Sequence, residues 1–544
     1  MLKRATTVLV VASLTACATV EKEQVAEPAF RTIDCSIAAP PVTDGDCEVL
    51  AVGERSTIII GTVLAQDQVL LNGSVLIDAD GRIAEVGCDL PQDAHTTVLA
   101  CPGAIVSPGF VNPHDHIFYN HVAPSAPVNE RYDHRHQWRL GLEGHSQPAY
   151  ERATTNEQLA WSELRQILGG TTSISGLGGV PGLTRNLEDA QLDGDLAQPA
   201  AFATVFPLSD AEGRMLADGC DYPEPVPAES FAGAGSFQAH VAEGVDARAN
   251  NEIGCVMQLL EEFEQPTAFV HFIAASADDA VALQQSNANV VWSPRSNIAL
   301  YGHTADVTLF GRLGINIALS TDWLPSGSMN MLRELHCAAS FSNTYLDGFF
   351  TSRELWQMAT VNAATSFGLQ DEIGSIEPGL MADIAVFRNG PSEDPFEDLT
   401  NAADSDLILA LRGGEVVAGH SALTQAIGAE CDVLPVALSC GSEMAVCLGA
   451  DNGDLRSILT ANQKSYPLMA CGAVPDAEPT CIPSRPGQFD GRVVAGSDND
   501  GDGITNNNDN CPNVFNPPRP MDGGLQPDFD RDGAGDACDL NPLE

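Results

Sequence analysis

The pair His114-Asp115-His116 sits at the end of an apolar run from Ala104 to Val111, and it constrains the fold more than any other feature of the chain. Side chains alternate along an extended strand, so residues two apart point the same way and both imidazoles can reach one metal ion. Residues of the same chemistry follow at wide intervals: His240 with Glu243, then His271, then Asp322. His240 lies 124 residues after His116, His271 follows 31 later, and Asp322 a further 51. A (β/α)8 barrel of roughly 250 residues spends about 31 on each strand and helix. His240 then falls about four units on, His271 one more and Asp322 about two more. The fold class expected is α/β, with these groups converging at the mouth of the barrel.

Local patterning agrees. Asn156 to Leu168 has helical periodicity and leads through Gly169-Gly170 into Thr171-Thr172-Ser173-Ile174. Ala201 to Phe206, Phe237 to Val241, Ala268 to Phe272, Val290 to Trp292 and Ile315 to Leu319 read as strands, while one of the eight has no evident apolar run. The Gly-, Pro- and acid-rich stretch 209–235 reads as a long loop over the mouth, of the kind that carries substrate contacts. Strand patterns also flank this region. Ser56 to Leu64, Val69 to Leu71, Gly73 to Ile77 and Ile83 to Val86 precede it, with a turn at Asp80-Gly81-Arg82, and Ala382 to Phe387, Leu407 to Leu411 and Glu415 to Val417 follow it.

The segments Val106-Ser107-Pro108-Gly109-Phe110-Val111-Asn112-Pro113-His114-Asp115-His116, His240-Val241-Ala242-Glu243, Ser293-Pro294-Arg295-Ser296-Asn297, Ser320-Thr321-Asp322 and Gly374-Ser375-Ile376-Glu377-Pro378-Gly379 with Ala382-Asp383 together resemble the amidohydrolase superfamily. Residues 55 to 420 carry the resemblance. It is most similar to the branch of cytosine and guanine deaminases and triazine chlorohydrolases, which implies one metal held by His114, His116, His240 and Asp322. Other branches bridge two metals with a carboxylated lysine, and no lysine occurs between Lys22 and Lys464. The resemblance further implies that the two flanks join as a small β-sandwich. Where relatives often carry threonine or alanine between the paired histidines, this chain has Asp115. The nearby His121, His134, His136 and His145 are read as solvated or structural and left outside the site.

The chain ends bear on where this chemistry happens. Lys3 and Arg4 precede a short apolar run, Val8 to Leu14, and Leu14-Thr15-Ala16-Cys17 resembles a bacterial lipoprotein cleavage box. The expectation is an exported protein lipid-anchored at Cys17, with Ala18 favouring the outer membrane of a Gram-negative cell. The fourteen remaining cysteines suit an oxidising compartment. Cys35 with Cys47, Cys88 with Cys101, Cys471 with Cys481 and Cys511 with Cys538 are near enough in sequence to pair, and Cys220, Cys255 and Cys337 read as free buried thiols. A net charge of -48 with only 26 basic residues repels nucleic acid and anionic headgroups, so neither is a partner.

At the other end, Asp498, Asp500, Asp502 and Asp509 before Cys511, and Asp528, Asp530, Asp532 and Asp536 before Cys538, resemble thrombospondin type 3 repeats. Alternate aspartates supply hard oxygen ligands and glycine allows the tight turn, as calcium requires. The domains expected are therefore a leader and lipobox at 1–17, a linker at 18–54, the β-sandwich at 55–105 with 370–420, the barrel at 106–369, a Cys-containing extension at 421–495 and calcium repeats at 496–544.

The chemistry follows from the barrel set. A divalent ion on His114, His116, His240 and Asp322 leaves a position for water and can lower its pKa from about 16 to near 7, making hydroxide available. Zinc and iron both suit such ligands. Glu243 can take the water's proton and hand it to a leaving nitrogen, Asp322 can assist, and His271 is read as a donor to the hydroxide or developing oxyanion. Arg295 and Asn297 are candidates for contacting a small-molecule substrate. Hydrolytic deamination of a cyclic compound is the reading these residues support best. Its rivals are ring-opening amide hydrolysis, as in imidazolonepropionase-like enzymes, and a catalytically inactive calcium-binding surface protein.

Overall fold

The computed structural model describes residues 30–543 apart from 36–41, 43–45, 126–129, 193–195, 224, 287, 450–453 and 473. The leader and Cys17 lie outside the described residues. Eight short parallel strands run through the middle of the chain: β1 (Phe110–Asn112), β2 (Thr171–Ile174), β3 (Arg185–Asn186), β4 (Phe202–Thr204), β5 (Phe237–Val241), β6 (Thr267–His271), β7 (Asn289–Trp292) and β8 (Ile317–Leu319). They pair in chain order as β1-β2-β3 and as β4-β5-β6-β7-β8. Hydrogen bonds connect the two sheets at both edges. The amide of Asp322, just past β8, donates to the carbonyl of His114, just past β1, at 3.1 Å, and Ala201 N donates to Leu187 O at 2.8 Å between the ends of β3 and β4.

Every residue of β5 to β8 is buried. Parallel strands covered on both faces read as continuous apolar runs, which explains why their positions were legible. The strand without an evident run is Arg185–Asn186, two polar residues long. The helix Asn156–Leu168 begins where the Thr155 side chain accepts from Gln158 N. It gives way to β2 through Gly170 at φ +87°, where a Cβ would lie 2.5 Å from the Phe387 ring, so glycine is required for both conformation and space.

Strands from both flanks build one mixed sheet of eleven strands among the described residues. Its central strand, Thr96–Pro108, pairs with Ser56–Leu64 on one side and with Ile384–Arg388 on the other. Ile59, Val75, Leu99, Val106, Ile384 and Leu409 pack in its core. The later segments are joined to the parallel-strand core, since Leu455, Ile458, Leu468 and Phe515 belong to the same buried cluster as Phe237 and Trp292. No helix among the described residues is long and apolar enough to cross a membrane.

The cysteines correct the sequence expectation. Seven disulfides join Cys35 to Cys88, Cys47 to Cys101, Cys220 to Cys255, Cys337 to Cys481, Cys431 to Cys447, Cys440 to Cys471 and Cys511 to Cys538. Only the last was expected, and Cys220, Cys255 and Cys337 are bonded, not free. The physical reason is register: Glu48–Ala51 runs antiparallel to Thr96–Pro108 with Glu48 opposite Ala100, which sets Cys47 beside Cys101 and not beside Cys35.

Candidate active site

All six residues of the expected catalytic set stand at the carboxyl ends of the parallel strands, where α/β sheets place their ligands. His114 and His116 follow β1, His240 and Glu243 come from the end of β5, His271 is the last residue of β6, and Asp322 follows β8. The imidazole of His114 lies centrally, with ring centroids 4.7 Å from His116, 4.6 Å from His240 and 5.8 Å from His271. Nε2 of His114 is 3.2 Å and Nε2 of His116 3.5 Å from Oδ1 of Asp322. The other oxygen, Oδ2, accepts the Ser296 hydroxyl at 2.5 Å.

This donor set fits a divalent metal. His114, His116 and Asp322 each offer a ligand atom within 4.8 Å of the others, and so do His114, His240 and His271. Nε2 of His114 is buried and makes no aligned hydrogen bond, which leaves its lone pair without a partner. Burial pushes His114 down, takes His116 down to about 3 and pushes His240 well below the usual imidazole range. Burial opposes ionisation of Asp322, but the adjoining His114, with His271 and His116, holds it below the ordinary carboxylate range. Neutral imidazoles and an ionised carboxylate are the protonation states a metal requires of its ligands.

Glu243 is oriented from behind. Its Oε1 accepts the Tyr301 hydroxyl at 2.7 Å, and that hydroxyl accepts Trp138 Nε1–H at 2.8 Å. Oε2 faces Nε2 of His271 at 3.7 Å. His271 pairs its Nδ1 with Asn297 Oδ1 at 3.0 Å. The carbonyl oxygen can only accept, so Nδ1 carries a proton and Nε2 faces the cavity. His271 Nε2 thus lies beside Glu243, and the residue is also a ligand candidate with His114 and His240.

Asp115, between the paired histidines, is fully buried and points away from them. It accepts Asn120 Nδ2–H at 2.5 Å, Thr321 Oγ–H at 2.8 Å, Gln166 Nε2–H at 2.9 Å and Asn112 Nδ2–H at 3.2 Å. Burial raises its carboxyl to about 7 against the hydrogen bonds of Thr321 and Asn120.

A cavity of about 350 Å³ opens onto His116, His240, His271, Glu243 and Asp322. Six aromatic side chains line it, Phe118, Tyr119, Trp138, Tyr150, Phe206 and Trp323, together with Arg139 and Arg152. The size suits a small ligand and the walls suit a flat ring. Two expectations fail here. Arg295 does not line the cavity: its guanidinium donates to Ser328 Oγ, Pro479 O and Arg333 O and pairs with Glu478, anchoring the later extension. Asn297 acts through His271 and does not reach the cavity. No described residue of 209–235 lines it either; Asp210 instead binds Arg135 and His136 at the helix Arg135–Leu140. Sequence reading missed Tyr301 and Trp138, which carry no motif and are recognisable only from the groups they touch, and it gave no role to Ser296 within the Ser293–Asn297 segment.

Residues 236–417 match the amidohydrolase family model. The chain is 25% identical over 399 residues to a 5-methylthioadenosine/S-adenosylhomocysteine deaminase of Caldanaerobacter subterraneus subsp. tengcongensis, an alignment covering 65% of this chain and 88% of the relative. It is 27% identical over 385 residues to a 5'-deoxyadenosine deaminase of Methanosarcina mazei, covering 63% and 85%. A higher identity, 36%, to the first of these activities in Teredinibacter turnerae spans only 22% of this chain and 27% of that relative. Among solved structures, the zinc complex of an atrazine chlorohydrolase from Arthrobacter aurescens superposes with a TM-score of 0.52 at 17% identity, covering 75% of this chain and 99% of the other, a likeness of fold. The family match therefore covers the stretch that contributes His240, Glu243, His271 and Asp322 to the site.

Proposed function

We propose that the protein is a metal-dependent hydrolase that removes an amino group from a small cyclic compound, using water to break the bond between a ring carbon and its exocyclic nitrogen and releasing ammonia. The observation that carries this reading is the convergence of the histidines, the Asp322 carboxylate and a separately oriented Glu243 on one aromatic-walled cavity. Relatives named as deaminases of 5-methylthioadenosine/S-adenosylhomocysteine and of 5'-deoxyadenosine point the same way. A zinc or iron(II) ion held by His114, His116, His240 and Asp322 would supply Lewis-acid chemistry, bringing the pKa of water from about 16 toward 7. The chain's own residues do the rest. Glu243 turns Oε2 to the cavity while Tyr301 holds Oε1, so one oxygen is free to accept the proton of the attacking water and return it to the departing nitrogen. His271, fixed by Asn297, faces the same space and can receive a proton and then donate it. Tyr119, Tyr150 and Trp323 form a mutually packed wall against which a planar ring can stack.

The same reading closes β1 to β8 into a (β/α)8 barrel, supported by the hydrogen bonds at both sheet edges. It also includes calcium in the C-terminal repeats. Asp498, Asp500 and Asp502 lie within 4.8 Å of one another, as do Asp528, Asp530 and Asp532, and Asp500 is fully buried with Oδ2 unpartnered. Export with a lipid anchor at Cys17, in the outer membrane of a Gram-negative cell, completes it, supported by the lipobox-like sequence and seven disulfides.

The test is ammonia release from a panel of amino-substituted heterocycles by the metal-loaded enzyme and its Glu243→Gln variant. The variant should keep its metal and lose turnover by roughly 10²- to 10⁴-fold. Unchanged turnover would remove Glu243 from the mechanism, and ring-opened products without ammonia would favour cyclic amide hydrolysis.

A further inference from the structure

The turns that carry Glu243 and His271 are conformationally costly. Ala242 (φ 56°), His271 (φ 72°) and Phe272 (φ 51°) all occupy the left-handed region without being glycine. A residue with a Cβ is strained in this region and persists there only where surrounding contacts over-determine it. The two turns brace one another, with Ile273 N and Ala274 N both donating to Ala242 O at 3.1 and 3.2 Å. The outer support comes from 246 residues further along the chain. Arg519 Nη1 donates to Ile273 O at 2.9 Å and to Ala275 O at 2.7 Å. Two residues later, Met521 N donates to Val245 O at 3.2 Å. Arg519 is itself fixed, since Asp522 receives its Nε at 3.0 Å and its Nη2 at 3.1 Å. The guanidinium is almost fully buried, so these carbonyls have no water to fall back on.

We propose that Arg519 is a positioning residue for the hydrolytic reaction: with Met521 it clamps the backbone just beyond His271 and just beyond Glu243, making the C-terminal region a structural part of the active site. The inference rests on the hydrolase reading above, and it assigns a task to a segment that the catalytic set does not touch. Losing the clamp lets the strained turns relax, and a displacement of about 1 Å in a catalytic group can cost about 100-fold in rate.

The experiment compares the full chain with Arg519→Ala and Arg519→Lys, reading metal content, kcat and KM for ammonia release, and amide hydrogen exchange at residues 245 and 272–275. Arg519→Ala should keep its transition metal, lose roughly 10- to 100-fold in kcat with KM little changed, and exchange faster at these amides. Arg519→Lys, whose ammonium can reach the same carbonyls, should recover part of both. A lower unfolding midpoint with wild-type kcat and exchange would reduce Arg519 to a structural role and overturn the proposal. Should the alanine variant not fold, Asp522→Asn decides, because it loosens the guanidinium and leaves it in place; unchanged exchange and kcat there overturn the proposal equally. Exchange is read without substrate. A chain that releases no ammonia from any compound refutes the deaminase reading, whereas unchanged exchange refutes the clamp.

Discussion

His136 shows how a residue's role is set by neighbours that sequence does not reveal. Its Nδ1 accepts from Arg139 Nη1 at 2.7 Å and its Nε2 donates to Asp210 at 2.7 Å, so the neutral Nε2–H ring is the form that satisfies both contacts. Burial lowers it to about 4, with Asp210 opposing. A histidine whose folded pKa is depressed gives stability that is present above its unfolded value, about 6.5, and lost as pH falls toward the folded one. The protein should therefore lose thermal stability between about pH 6.5 and 4, and His136→Gln should flatten that decline; an unaltered pH profile in the variant would contradict the assignment. The gathering of His114, His116, His240, Glu243, His271 and Asp322, by contrast, was legible because histidines and carboxylates at strand-end spacing have few other reasons to recur. Arg295 was misread for the same reason that His136 was unassigned: Glu334 and Glu478, which bind its guanidinium, lie 39 and 183 residues away in sequence.

At the scale of elements, Asp115 is the joint between the first and last strands. Its carboxylate receives donors from Asn112 in β1, Gln166 in the helix Asn156–Leu168 and Thr321 beyond β8. Asp115→Ala would remove the acceptor these buried donors share, at a cost of about 1–3 kcal/mol for each one left unpaired; Asn112 keeps a second acceptor in Thr321 Oγ1 at 2.6 Å. A marked drop in unfolding midpoint and faster loss of a metal loaded at the histidine site are expected, read by denaturant titration and metal release to a chelator. Wild-type metal retention would show that Asp115 does not organise the His114 and Asp322 segments. The strands themselves were readable from apolar runs, and β3 was not because Arg185 and Asn186 are held by tertiary contacts, Arg185 through its ion pair with Asp383.

Across the whole molecule, the later segments wrap the parallel-strand core. Arg485 Nη1 donates to Tyr301 O at 2.7 Å, Trp161 Nε1 to Tyr466 O at 2.8 Å, and the Cys337–Cys481 bond ties the extension to the chain 144 residues earlier. None of this was visible in sequence, since arginine-to-carbonyl contacts leave no pattern and disulfide pairing follows register in space. Replacing Cys337 and Cys481 with serine should lower stability by about 2–4 kcal/mol, measured as a shift in the denaturant midpoint; no shift would mean the wrapping is held by packing alone. The central claim is that His114, His116, His240 and Asp322 hold one transition metal. Element-resolved metal content of the chain lacking residues 1–17, beside a His114→Ala/His116→Ala variant, tests it most directly. About one equivalent of zinc or iron, lost in the variant while any calcium persists, is the predicted result. A metal-replete preparation that carries calcium alone, or a variant that keeps its zinc or iron, would contradict it.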